Sequence, residues 1–157
     1  MTTGPGVPEE LVPVELKRVP LRLYERAAQH QAELMREFSL ITLSEHPSAL
    51  PGRLLRLIED LQDRFGEVSA GPDAERDAAV AEGRASIDLV YAVPRSAGPA
   101  SRELLELLHE ADVYCSGDRL MTLPSPPDQV AFVGWYLGEF VRQTNGEPAR
   151  PWGGSLD

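Results

Sequence analysis

The stretch SPPDQVAFVGWYLGEFVRQTNG, residues 125–146, decides the fold. It carries a complete set of helix signals. Ser125 is a natural N-cap, Pro126 stands at the first helical position, and Asp128 lies three residues after the cap, where a capping-box acid belongs. Asn145-Gly146 closes the helix and Pro148 prevents its resumption. At about 100° per residue, Phe132, Tyr136, Phe140, Val133, Leu137, Val130 and Val141 fill roughly half of the circumference. So wide an apolar arc predicts contact with two or more neighbours. Gly134 and Gly138 lie one turn apart at its edge, where a second backbone has room to approach.

Moving outward from this helix, residues 98–114 form another, with Leu104, Leu107, Leu108, Ala111 and Cys115 on its buried face. Before it the period changes. Ile87, Leu89, Tyr91 and Val93 alternate with Asp88, Val90 and Ala92 until Pro94, which is a strand pattern. A lone strand needs a partner. Residues 119–123, after the turn signal Ser116-Gly117-Asp118, are the favoured candidate, and residues 14–19 a weaker one. Residues 12–19 read as a short strand that Pro13 and Pro20 confine to an edge.

From Pro20 a long helix is expected, with Leu23, Ala27, Leu34, Phe38 and Ile41 on one face, ending near Ser44 because Pro47 disfavours a helical His46. Ser48 caps a second, with Pro51 in its first turn. Leu50, Leu54, Leu57, Ile58, Leu61 and Phe65 line it, and Gly66 ends it. Residues 72–83, PDAERDAAVAEG, read as a short acidic connector helix on the outside. Residues 1–10 and 147–157 are expected as flexible tails, although Trp152 is able to dock on the body. The fold class is therefore mainly α, a single domain built as a bundle of four main helices with a small two- or three-stranded β-element. An α+β arrangement is the alternative.

Composition narrows the function. The formal charge of −10 works against nucleic-acid binding, because phosphates would be repelled. Nine acids between Glu59 and Asp88 face only Arg64, Arg76 and Arg84, a solvated face or else a docking patch for a basic partner. No apolar run reaches the roughly 18 residues of a membrane span, and MTTGPGVPEE lacks the features of a signal peptide. A cytoplasmic protein without a membrane contact is expected. One cysteine excludes an internal disulfide and a cysteine-rich zinc site. Fourteen arginines beside a single lysine, Lys17, with much Ala, Leu, Pro and Gly, suggest a high-GC bacterial genome.

No catalytic motif stands out. His30 lies within the apolar arc of the first helix, beside Gln31. It reads as a core-edge histidine hydrogen-bonded to Gln or backbone, and alternatively as a phosphoryl acceptor. Glu106-x-x-His109 has di-iron spacing, but no second copy exists, so no metal is expected. Cys115 reads as a small core residue. No nucleophile elbow, phosphate-binding loop or dinucleotide fingerprint occurs. The expectation is a non-enzyme without a cofactor. Trp135 sits away from the main arc, near Glu139 and Arg142. It is either covered by a loop or the C-terminal tail, or it anchors a partner or a second copy of the chain, with Glu139 and Arg142 at the rim.

Three segments carry a resemblance: VELKRVPLRLYERAAQHQAELMREFSLI (14–41), ERDAAVAEGRASIDLVYAVP (75–94) and VAFVGWYLGEFVRQTNGEPARPW (130–152). They resemble a group of uncharacterised small helical actinobacterial proteins of similar length. The resemblance implies a place beside anti-sigma-factor kinases and their antagonists in partner-switching signalling. It carries over no catalytic residue, because the kinases' Asn-bearing helix and Gly-rich lid loops are absent. The combined reading is a non-catalytic cytosolic regulatory or adaptor protein that works through protein contacts, as a homodimer joined near Trp135. A small-molecule sensor with a pocket at His30, Gln31 and Tyr136 is one alternative. A phosphotransfer bundle using His30 is the other.

Overall fold

A computed structural model describes residues 10–42, 49–115 and 122–157. The order of elements is β1 (Leu11–Pro20), α1 (Leu21–Ile41), α2 (Leu50–Ala81), β2 (Ser86–Pro94), α3 (Ala97–Cys115) and α4 (Pro127–Thr144). Among the described residues, four helices with a two-stranded antiparallel sheet make the fold mainly α with a small β-element. The expected ends of the first two helices, Ser44 and Ser48, lie outside the described residues.

The partner of β2 is β1, the weaker of the two candidates. Val14 pairs with Tyr91 and Leu16 with Leu89. Most of the favoured segment, 119–123, lies outside the described residues. Its Thr122 turns instead to α1, where its N–H donates to Glu37 Oε1 at 2.8 Å. Alternation explains the observed pairing. Val14, Leu16, Leu89, Tyr91 and Val93 all point to one buried face. The period slips at Lys17-Arg18, where the register shifts and Arg18 takes a φ of 60°. This bulge is held by the Arg18 N–H, which donates to Asp88 Oδ1 at 2.7 Å.

Residues 50–81 form one 32-residue helix, where Gly66 was expected to end one and Pro72 to begin another. Added Cβ atoms at Gly66 and Gly71 would meet nothing, so both face open space and weaken the helix without bending its packed side. Pro72 has no N–H to offer the carbonyl of Val68. Phe65, Val68, Ala79 and Val80 pack into one core on both sides of that interruption and hold the two halves in line. The second half is therefore no external connector, since Ala79 is buried.

The N-terminus of α4 also differs from expectation. Ser125 does not cap it. Its N–H donates to Asp112 Oδ1 at 2.9 Å, and Pro126 occupies the cap position without a side-chain bond. Asp128 does serve the first turn, accepting the Gln129 N–H at 2.9 Å. The C-terminus closes as read: Gly146 has φ 88°, Glu147 N–H reaches Arg142 C=O, and Gly146 N–H reaches Gln143 C=O. Gly134 and Gly138 face open space, and among the described residues no backbone approaches them. The tight helix crossing belongs to Gly98 of α3, where an added Cβ would lie 2.2 Å from Thr144 Oγ1 of α4.

Two cores result. One joins the sheet to Leu21, Leu23, Ala27, Ala79, Phe132, Phe140 and Trp152. The other joins the far ends of α1, α2 and α3 through Leu34, Phe38, Leu54, Leu57, Leu107 and Ala111. Between them the helices do not fully interdigitate.

Candidate functional site

The gap between the cores is a cavity of about 370 Å³ lined by α1, α2, β2, α3 and α4. Met35, Ile58, Leu61, Leu104 and Leu108, all from the margin of the distal core, make one wall. Phe65, Val93, Ala97 and Phe140 of the proximal core make the other. Exposed Gln62 and Gly66 on α2 mark the side open to solvent.

One end of the cavity is polar. Asp73 and Arg76 sit one turn apart on α2, just after Pro72, and face Tyr91 of β2 and Tyr136 of α4. Arg76 only donates and Asp73 only accepts, so the direction of every bond follows. Arg76 donates to Tyr136 Oη at 3.4 Å, Tyr136 to Tyr91 Oη at 2.9 Å, and Tyr91 to Asp73 Oδ1 at 2.7 Å. A second Arg76 bond to Asp73 Oδ1, at 3.1 Å, closes the ring. Arg76 also stacks over the Tyr24 ring, 4.2 Å from its centroid.

Burial raises the phenol pKa of Tyr91, and neighbouring Tyr136 and Asp73 raise it further. Tyr136 is raised by burial against the opposing pull of its bonds to Tyr91 and Arg76. Burial likewise raises Tyr24, with Arg76 opposing. Burial works against the charge of Arg76, but Tyr136, Tyr24, Tyr91 and Asp73 more than offset it, so its pKa is raised too. The folded chain thus keeps phenol protons that an unfolded chain, with tyrosines near about 10, has lost. The unfolded state binds fewer protons there, so stability is intact below about pH 10 and falls as pH rises beyond it. Tyrosinate absorbance and loss of the helical circular-dichroism signal should therefore appear together above about pH 10. Complete ionisation of the tyrosines in a fully helical chain would contradict the buried ring.

Of the expected polar pocket His30, Gln31 and Tyr136, the structure brings Gln31 and Tyr136 to this cavity. His30 faces a smaller adjoining chamber, which Gln31 also lines. Its Nε2 is buried without a partner among the described residues, so the expected hydrogen bond to Gln or backbone is not made there. Asp73, Arg76 and Tyr91 were not expected at the site. Two signals point to them: a Tyr on the buried face of a strand needs a partner for its hydroxyl, and Asp73-x-x-Arg76 has ion-pair spacing on a helix.

The expected contact group Trp135, Glu139 and Arg142 serves the chain's own C-terminal segment. Trp135 Nε1 donates to Arg150 C=O at 2.8 Å, and its ring packs on Trp152 at 5.6 Å. The tail therefore covers Trp135. Glu139 is no rim residue but is 1% exposed. It accepts from Arg142, from Gln143 Nε2 at 3.2 Å and from Arg150 N–H at 2.6 Å. Helical periodicity places it outside the apolar arc, and the segment after Gly146 folds back over it. Trp152 N–H then donates to Lys17 C=O, and Arg18 grips the carbonyls of Trp152 and Gly154 at 2.9 Å each. Residues 147–157 carry no helix or strand, yet they are bound at each of these points.

Cys115 is buried, and burial with Asp112 and Glu37 pushes its thiol up to about 11. Glu106 and His109 border two different clefts. Among the described residues no three His, Cys, Asp or Glu side chains are placed to hold a metal. No protein-family model matches the chain, and no curated protein or solved structure matches it either.

Proposed function

We propose that this chain is a non-catalytic cytosolic regulatory protein that senses a small, largely apolar molecule in the cavity between its two cores. The observation that carries this is the cavity itself. Protein interiors pack with few voids larger than a water, whereas ligand sites run from roughly 300 to 1,000 Å³, mostly apolar with a few convergent polar groups. A space of about 370 Å³ with one ordered polar end has that character. Both α2 and α4 line it, so an occupant fixes their spacing, and a ligand preferring one spacing shifts the population. That shift is read by a protein partner. The resemblance to proteins found beside anti-sigma-factor kinases supports a partner-switching context for it. The charge of −10 disfavours nucleic acid. Among the described residues no helix is long and apolar enough to cross a membrane. The buried Nε2 of His30 supports sensing over phosphotransfer, since a phosphoryl acceptor has to be reachable.

The test is binding of N-phenyl-1-naphthylamine, a neutral dye that fluoresces in apolar surroundings. Wild type should bind it, and Leu104→Trp, which fills the cavity, should weaken binding by about tenfold or more with helicity unchanged. Equal binding by both proteins, or none by wild type, would overturn the proposal.

A further inference from the structure

Behind Gln31 and Leu108, which line both spaces, lies the second chamber, about 140 Å³ between α1, α3 and α4. Two buried atoms that face it lack any hydrogen bond among the described residues: His30 Nε2 and Gln129 Oε1. Gln129 is only 8% exposed. Orphaned polar atoms in an interior are costly and call for a partner. Gln129 and Tyr136 stand two turns apart on one face of α4, about 10 Å along its axis. At the Tyr136 end, Asp73 uses Oδ1 for both its ring bonds, and its partly exposed carboxylate has no bond at Oδ2 among the described residues. The two cavities therefore present orphaned polar atoms at one end and a partly exposed carboxylate acceptor at the other, with Gln31 and Leu108 between them. The Gln31 side chain, part of that partition, makes no hydrogen bond among the described residues.

We infer that the chamber is the far end of the ligand site, and that the ligand is a linear molecule with an apolar middle and a hydroxyl at each end. The inference rests on the sensing proposal. The end-group chemistry follows from the atoms. Gln129 Oε1 only accepts, so the end group has to donate, which excludes a carboxylate or phosphate. His30 Nε2 donates or accepts according to its tautomer, and a hydroxyl satisfies it either way. A hydroxyl fits better than an ammonium, which accepts nothing and so pairs with His30 Nε2 in one tautomer only; the carboxylate that lines the chamber, Asp112, already accepts the Ser125 N–H.

Calorimetry with two isomers separates the questions. Octane-1,8-diol carries its hydroxyls at opposite ends, and octane-1,2-diol carries both at one. Wild type should bind the first about tenfold more tightly, the effect of one additional buried hydrogen bond to an orphaned group. In Gln129→Leu that preference should fall below about twofold. Equal affinity for the two diols in wild type overturns the inference, whatever the variant does, and leaves the sensing proposal standing if 1-octanol binds. A preference that persists in Gln129→Leu also overturns it. If neither diol nor 1-octanol binds, both the inference and the sensing proposal fall.

Discussion

Glu139→Ala is expected to lower stability by about 3–5 kcal/mol, the usual cost of removing one partner of a buried ion pair. The side chain of Glu139 is 2% exposed and that of Arg142 19% exposed, and the guanidinium left behind keeps only Glu147 at 3.7 Å and the Pro148 carbonyl at 2.7 Å. The Arg150 N–H and the Gln143 amide lose their acceptor at the same time. Gln143 matters beyond α4, because its side-chain amide bonds the N–H and C=O of Glu15, both at 2.8 Å. That pair covers the outer edge of β1 as a further strand would. Loss of Glu139 should thus loosen the C-terminal segment as well as the fold. Urea unfolding reads the first effect, and chymotryptic cleavage after Trp152, which is docked in the folded chain, the second. Replacing both partners, Glu139→Leu with Arg142→Leu, should recover much of the loss, because no lone charge stays buried. A single variant as stable as wild type would show that Glu139 is solvated.

Phe140→Ala should cost about 3 kcal/mol, the lower end of the range for a buried phenylalanine. Phe140 is 8% exposed and packs edge-on against Tyr91 at a centroid distance of 5.3 Å. One of its sides already borders the cavity, so part of its ring has no packed neighbour to lose. A loss below about 1 kcal/mol in urea unfolding would mean that α4 does not join the core there. The same variant should still bind an apolar dye, since Phe65, Val93 and Ala97 remain on that wall and the opposite wall is untouched.

Much of this architecture is legible in the sequence. The periodicity of α1 and α3 marks their buried faces, whereas on α4 only Phe132 and Phe140 of the expected arc are buried, Val130 is exposed, and Gln129, Glu139, Gln143 and Thr144 are buried instead. What failed has physical causes. Gly66 and Pro72 are helix breakers in isolation, but Phe65 and Ala79 anchor both halves of α2 in one core and override local propensity. The partner of β2 was sought near a turn signal, while β1 reaches it from the other end of the chain. Glu139 reads as exposed because a helical wheel shows only its own helix. Its burial is made by residues 147–152, whose path no periodicity describes. The site was half visible for a related reason. Gln31 and Tyr136 lie on amphipathic faces, but Asp73 and Arg76 belong to a segment whose acidic composition reads as solvent-facing.

A crystal of the protein under xenon pressure tests the central claim, an accessible cavity between two cores. Apolar cavities of comparable size hold xenon without rearranging. Xenon density is expected among Phe65, Leu104 and Phe140, beside an intact Tyr91–Tyr136–Asp73–Arg76 ring. A structure in which α2 and α3 close onto each other, with no xenon between them, would contradict it.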